Sequence, residues 1–446
     1  MIVSWIYDIH PEGGIVKTEP VDKVKTGEKP VTSNSWKIAS YISFIVIVVL
    51  IVLNIIPRSD KNESLDKSIA VLPFRNDSPD ESKMYFINGT MEAILDNLCK
   101  IKDLRVPGRT SVEQYRNNPV SISTVAEEMN VSYILEGSGH RDGNSVRLVV
   151  QLLDGKEDRH LWSRTYEADI EEIFSLQSEI AQLVAAEIEA IITPMEKALI
   201  EKAPTASLTA YDYYQRGREE HWSSVLNREY RSGLEKAEYF YNKALEYDPD
   251  YASAYAGLAM VYYSRYSAIT VSGDQYSADY YMSKDLDTMN LLARKALLLD
   301  DQIADVYLAI GMYELESGNL YESLGFFEQA LNINPNYPMA LLGAASNHKD
   351  LYDYLNGIKL LHAAERLERG ALLPVIYISL LKAYWDMGFS EKGFQYGNRF
   401  LSVTGDSITY YLMKYIGEFQ WGNQEDANKY ANSAFAFDST STDAIL

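Results

Sequence analysis

The chain has 446 residues, with 41 Lys and Arg against 63 Asp and Glu, a formal net charge of −22. That balance argues against a nucleic-acid partner, which needs a basic stripe, and the single cysteine, Cys99, leaves neither an internal disulfide nor a Cys-built zinc site. With 47% hydrophobic residues the chain can build cores in two or three units, and its 34 tyrosines are an excess in search of a location.

Residues 1–37 read as a cytoplasmic juxtamembrane segment. Between Lys37 and Arg58, residues 38–56 form an uncharged run dense in Ile and Val. At ~1.5 Å per residue it spans about 28 Å, the thickness of a hydrocarbon core, so it reads as a transmembrane helix closed by Pro57. Lys17, Lys23, Lys25, Lys29 and Lys37 precede the run, while Arg58, Lys61, Lys67 and Arg75 follow it. The small basic excess ahead of the span predicts an inside N-terminus and folded domains outside. Residues 58–67 are polar and make a tether.

From Ser68 the pattern alternates. Ser68–Phe74 reads as a buried strand stopped at Pro73, and Met84 to Ile101 as an amphipathic helix with Ile87, Met91, Ile94 and Leu98 on one face. Leu104–Pro107 is a short strand, and Ile122–Met129 a helix capped by Ser121 or Ser123. Val131–Gly137 and Ser145–Leu153 form a hairpin through Asp142-Gly143-Asn144, because Asp and Gly tolerate positive φ there. A further strand follows at His160–Tyr166, and Ile170 to Ile200 reads as one long helix. This order predicts an α/β domain over residues 68–203.

Five strings occur in one order here: Ile69-Ala-Val-Leu-Pro-Phe74, Val131-Ser-Tyr-Ile-Leu-Glu-Gly-Ser138, Gln151-Leu-Leu-Asp154, Leu161-Trp-Ser163 and Ile173-Phe-Ser-Leu-Gln177. Together they resemble the TolB amino-terminal-like (FlgO-like) domain of bacterial membrane-anchored proteins, where it precedes tetratricopeptide repeats. Members of that family often carry a winged-helix or nucleotide-cyclase domain ahead of the membrane segment. Trp5 to Gly13 resembles the stretch that follows an earlier membrane helix in relatives, which implies a start shortened relative to them.

After Pro204 the chain reads as helical throughout. Ala296, Ala330 and Ala364 lie 34 apart, as do Leu299, Ile333 and Leu367, the period of a helix-turn-helix tetratricopeptide unit. About six units are expected over residues 206–446: 211–249, 252–301, 304–335, 338–369, 374–405 and 408–439. Ser264 to Met282 is an insertion in the second unit, either a loop or a longer helix pair. The array ends without an evident capping helix, which leaves room for continuation in a longer parent. The expected fold class is therefore an α/β domain plus an all-α tetratricopeptide solenoid, preceded by one transmembrane helix.

Catalytic chemistry is hard to find. Gly137-Ser-Gly-His-Arg-Asp-Gly143 lacks the Lys-Ser/Thr of a phosphate loop and sits between hairpin strands. None of the six histidines has a partner at ligand spacing, Cys99 belongs to a core-facing helix, and the acidic clusters at Asp77 and Asp169 suit helix starts. The reading is non-enzymatic, with no catalytic, metal or cofactor residues.

What remains is surface. In resembling repeats the first helix of each unit lines a concave ligand groove. Carried over, those positions are Met260 and Tyr263; Leu308, Met312 and Leu315; and Met339, Leu342 and Lys349, together with Ser253, Ala256, Asp305 and Ser346. Met and Tyr suit an adaptable peptide groove. The acidity lies in the soluble parts: residues 1–57 hold 5 basic and 5 acidic side chains, residues 58–205 hold 17 and 26, and residues 206–446 hold 19 and 32. The expected partner is therefore a protein or peptide, apolar or basic. The expected setting is a bacterial inner membrane with the C-terminal domains periplasmic, in a scaffold or in the regulatory portion of a cyclase-type or winged-helix signalling protein.

Overall fold

The computed structural model describes residues 7–10, 14–17, 67–118, 120–227, 230–272 and 275–437. The expected span 38–56 and almost all of the tether lie outside these; among the described residues no helix is long and apolar enough to cross a membrane. The chain divides into two compact units, residues 1–64 and residues 65–446. In the first, β1 (Tyr7–His10) pairs antiparallel with β2 (Gly14–Lys17), a hairpin that the juxtamembrane reading did not contain.

The second unit opens with an α/β part: β3 (Ile69–Val71), β4 (Arg75–Asn76), α1 (Met84–Cys99), α2 (Arg109–Val112), α3 (Ile122–Met129), β5 (Tyr133–Asp142), β6 (Ser145–Asp154), β7 (Arg159–Asp169), α4 (Ile173–Glu187) and α5 (Pro194–Glu201). The sheet runs β3-β5-β6-β7, with β3 parallel to β5 and the rest antiparallel along that path; past Pro73 the chain re-pairs as β4 on the far half of β5. Strand alternation sorts the side chains between two layers. Ile69, Val71 and Leu135 join Ile87, Met91, Ile94, Val150 and Ile180 under α1 and α4. Ala70 and Ile134 face the other way, onto Val112, Val125 and Met129 of α2 and α3. The Ser121 side chain accepts the Thr124 N–H and caps α3, and Gly143 makes the β5–β6 turn at φ +56°.

Two local expectations fail for identifiable reasons. Residues 104–107 do not form a strand; only an isolated parallel bridge joins Ser68 to Arg105. The helix expected over 170–200 breaks in two. Glu189 turns left-handed at φ 58°, and Thr193 restarts the chain with a capping box in which its Oγ1 accepts the Glu196 N–H while the Glu196 carboxylate accepts the Thr193 N–H. Pro194, in the first turn, has no N–H to lose.

Six antiparallel helix pairs follow: α6 (Leu208–Asn227) with α7 (Tyr230–Tyr247), α8 (Ala252–Ser272) with α9 (Gln275–Leu299), α10 (Ala304–Glu316) with α11 (Leu320–Ile333), α12 (Pro338–Asp350) with α13 (Tyr354–Leu367), α14 (Leu373–Asp386) with α15 (Ser390–Thr404), and α16 (Ser407–Trp421) with α17 (Gln424–Phe437). This is a tetratricopeptide-like solenoid. The insertion in the second pair is a lengthening of both helices, not a loop.

The periodic small residues make room for aromatic rings. Phe327 is fully buried between Gly311 of its own unit and Gly343 of the next; a Cβ at those positions would lie 2.8 and 2.5 Å from its ring. Tyr241 sits the same way between Gly217 and Gly257. Several tyrosines of the excess are such packing groups: Tyr211, Tyr241, Tyr251 and Tyr384 are all buried. The turn inside the third, fourth and fifth units also repeats. Gly318 and Gly388 adopt φ +79° and +80° after the first helix, and Tyr352 takes φ +62° at the same place. Each exit turn carries its own acceptor: Asp248, Asp300, Asn334 and Glu368 accept the N–H two residues on.

Candidate functional site: the solenoid groove and its bound edge

The exit turns form one edge of the solenoid, and the α/β part lies along it. Lys202 Nζ meets Asp300 at 2.7 Å, and Thr205 donates to Asp248. Asn336 donates to the Leu104 carbonyl at 2.8 Å and accepts the Val106 N–H at 3.1 Å. At the next turn the Glu368 carboxylate accepts from Thr110 at 3.0 Å and Ser111 at 3.1 Å, while Arg369 donates to the Glu128 carbonyl. Three successive turns are thus tied to the α/β part, and the turn before them to the linker that leaves it. Two segments expected to be separate domains form one compact unit.

Beside this edge, α1 packs on α6 through charge. Glu92, 1% exposed, bridges Arg109 and Arg218, with Arg218 Nε 2.9 Å from its Oε2. Arg218 also reaches Asp96 at 3.0 Å, and Arg109 reaches Glu219 at 3.2 Å. Nearby, Asp212 receives Tyr85 and Arg141, each at 2.7 Å. Burial alone would raise the Asp212 pKa, but those two hydrogen bonds and the Arg216 charge hold it below the usual carboxylate range. Removing one partner of a buried ion cluster typically costs about 3–5 kcal/mol, because a charge is left unpaired. Sequence reasoning missed this junction. Its only local signal is Asn88, Glu92 and Asp96 at i, i+4, i+8 on the side of α1 opposite the expected apolar face.

The expected groove positions divide into three groups. Leu308 is fully buried in the packing around Phe327, Ala330 and Ala340, so it is a core residue and no contact for a ligand. That corrects its assignment: it points between units instead of into the concavity. Met260, Met312, Leu315 and Met339 are half-buried, packed on the same cluster, with part of each side chain still open; Tyr263 is half-buried too. Asp305 is hydrogen-bonded to Tyr337. Burial raises its pKa, an effect the Tyr337 hydroxyl partly offsets. Leu342 and Lys349 line a cleft of about 130 Å³ between the fourth and fifth units, with Leu361 and Gly357 on its floor and Ile378 and Lys382 on the opposite wall.

Cys99 and one histidine-centred chain have packing roles. Cys99 is buried, and burial raises its thiol pKa. Glu365, His362 and Tyr384 form a chain with both links at 3.0 Å. Tyr384 stacks on Tyr396 and is 7% exposed, so the chain ties the fourth unit to the fifth. Among the described residues no three His, Cys, Asp or Glu side chains gather as a metal site.

The family model described as HilA/YgeH-like transcriptional regulator, second domain, matches residues 65–183, the span of the sheet and its helices. That description differs from the TolB-like one expected. The chain is 34% identical over 194 residues to a putative adenylate cyclase 3 of Rhizobium meliloti (strain 1021), covering 44% of this chain and 32% of that protein. It is 28% identical over 131 residues to the uncharacterized protein ycf37 of Pyropia yezoensis, covering 29% and 63%. The chain thus spans about a third of the first relative's length and under two thirds of the second's. Among solved structures, it is similar to PilW, a type IV pilus biogenesis factor, at 18% identity over 54% of this chain and 98% of that one, with TM-score 0.42. For Pseudomonas aeruginosa PilF the values are 18%, 53%, 95% and 0.40.

Proposed function

We propose that the chain is a non-enzymatic scaffold that holds a peptide or protein in the groove of its solenoid. The α/β part, read as TolB-like, fixes the solenoid's curvature from one edge, and residues 38–56 anchor the whole in a bacterial inner membrane with the folded unit on the periplasmic side. The observation that carries the reading is the row of half-buried first-helix side chains, Met260, Met312, Leu315 and Met339, leading to the open cleft at Leu342 and Lys349. Flexible thioethers at such positions repack around varied partners. Photo-crosslinkers placed at Met312 and Leu342 should capture one and the same cellular protein, and a crosslinker at the buried Leu308 should capture none. Equal capture from all three positions, or from none, would count against the groove. A reporter fused after Leu446 tests the topology: periplasmic activity is expected, and cytoplasmic activity would reverse the orientation.

A second reading makes this the regulatory portion of a cyclase-type or winged-helix signalling protein. It is favoured by the 34% identity to a protein named as a putative adenylate cyclase and by the match to a domain of a transcriptional-regulator family. Genomic sequence upstream of Met1 decides it. An in-frame output domain supports this reading; a frame that adds only membrane helices sinks it.

A further inference from the structure

The expectation of an apolar or basic partner rests on the whole-chain charge, and the cleft between the fourth and fifth units has the opposite local chemistry. Its apolar part is Leu342, Leu361 and Ile378 with two alanines, in a volume of about 130 Å³, room for one aliphatic side chain. Its polar part is Lys349, Lys382 and hydroxyl groups, among them Ser346 and Tyr354. No carboxylate lines it, in a chain with 63 acidic residues. The two ammonium groups come from neighbouring first helices, α12 and α14. Lys382 is exposed and joins none of the ion pairs among the described residues, and Lys349 has a weak, half-exposed partner in Asp350 at 3.2 Å. Asp386, one helical turn beyond Lys382, is the other acid that competes for these amines.

We propose that this cleft takes an acidic peptide segment, with an aliphatic side chain seated on Leu342, Leu361 and Ile378 and the carboxylates of flanking Asp or Glu residues on Lys349 and Lys382. This deepens the peptide-groove reading and rests on it. The occupant is an internal segment, laid between Ser346 and Lys349 of one first helix and Ser379 and Lys382 of the next. The seat for the aliphatic residue fixes register, and the two lysines select sign. A Lys-flanked peptide would place ammonium groups against ammonium groups, whatever the distant field of the acidic solenoid favours.

The test uses the full chain and four fluorescein-labelled heptapeptides. Three have blocked ends and a central Leu flanked by Glu, by Lys or by Ser; the fourth ends in Leu with a free carboxylate. Anisotropy should rank the Glu-flanked peptide tightest. Lys349→Met and Lys382→Met should each weaken it by about 2- to 5-fold, the scale of half-exposed ion pairs. Asp386→Asn, which removes a competitor, should tighten it. All three sites are at the surface, so the fold tolerates the changes. Equal or tighter binding of the Lys-flanked peptide, or indifference to both lysines, overturns the proposal while leaving the groove reading intact. Tight binding of the free-carboxylate peptide alone overturns it in favour of a chain terminus. Binding by none of the four overturns it too, and the crosslinking test then judges the groove separately.

Discussion

Tyr352→Gly should stabilise the protein, and the solenoid supplies its own controls. At three successive turns the first helix ends in the same pair of hydrogen bonds. Gly318 donates to the Leu315 carbonyl at 3.0 Å and Asn319 to Glu314 at 2.8 Å; Tyr352 donates to Lys349 at 2.9 Å and Asp353 to His348 at 2.7 Å; Gly388 donates to Trp385 at 2.8 Å and Phe389 to Tyr384 at 2.9 Å. Only the middle turn asks a side chain to accept positive φ. A left-handed non-glycine residue costs about 1–2 kcal/mol, while glycine returns roughly 0.5–1 kcal/mol of that through the freer unfolded chain. The Tyr352 ring is 82% exposed, so its removal forfeits little burial. The net gain is about 0.5–1 kcal/mol, a rise in melting temperature of roughly 1 °C for a unit spanning residues 65–446. Urea denaturation of the full chain would measure it, with Gly318→Ala and Gly388→Ala expected to lose about 1 kcal/mol each. A Tyr352→Gly variant that loses stability as those controls do would refute the argument from backbone strain.

Gly343→Ala should cost about 1–3 kcal/mol by overpacking against the Phe327 ring, and Phe327→Leu in the same background should recover part of that loss in a denaturation series. Arg109→Met should destabilise by about 3–5 kcal/mol, since Glu92 would keep Arg218 as its one close cation; a loss under 1 kcal/mol would show that the junction is dispensable. Burial, and then the Arg218 charge, push the His221 imidazole down to about 4 from the ordinary 6.5. The unfolded chain therefore takes up a proton first. Stability tied to neutral His221 is complete above pH 6.5 and is lost as pH falls toward 4, so His221→Gln should flatten the stability profile in that window. An unchanged acid limb would refute it.

Much of the fold was legible because it is written in short-range patterns. The apolar stripe of α1, the Asp-Gly turn and the 34-residue spacing of Ala296, Ala330 and Ala364 each report a contact within one or two elements. The break before α5 was legible too, in Thr193-Pro194 and Glu196, yet a continuous apolar rhythm on both sides concealed it. The groove was half legible. Repeat position identifies which side chains lie on first helices, but it does not separate Leu308, sealed against Phe327, from Leu342, open at a cleft. The two lie one 34-residue period apart, so the packing of the neighbouring units makes that difference.

From its residues alone this chain has an acidic surface, an alternating α/β segment and a helical array with a fixed period, since composition and periodicity are properties of the string. Tertiary structure decided the rest. It tied the exit turns at Asp248, Asp300, Asn336 and Glu368 to residues up to more than 250 positions away. It buried Glu92 between Arg109 and Arg218, and it placed Lys349 and Lys382 on opposite walls of a cleft that no acid lines. Charges summed over a sequence set the far field, whereas recognition acts over a few ångströms, where only the packing of helices determines which charges meet.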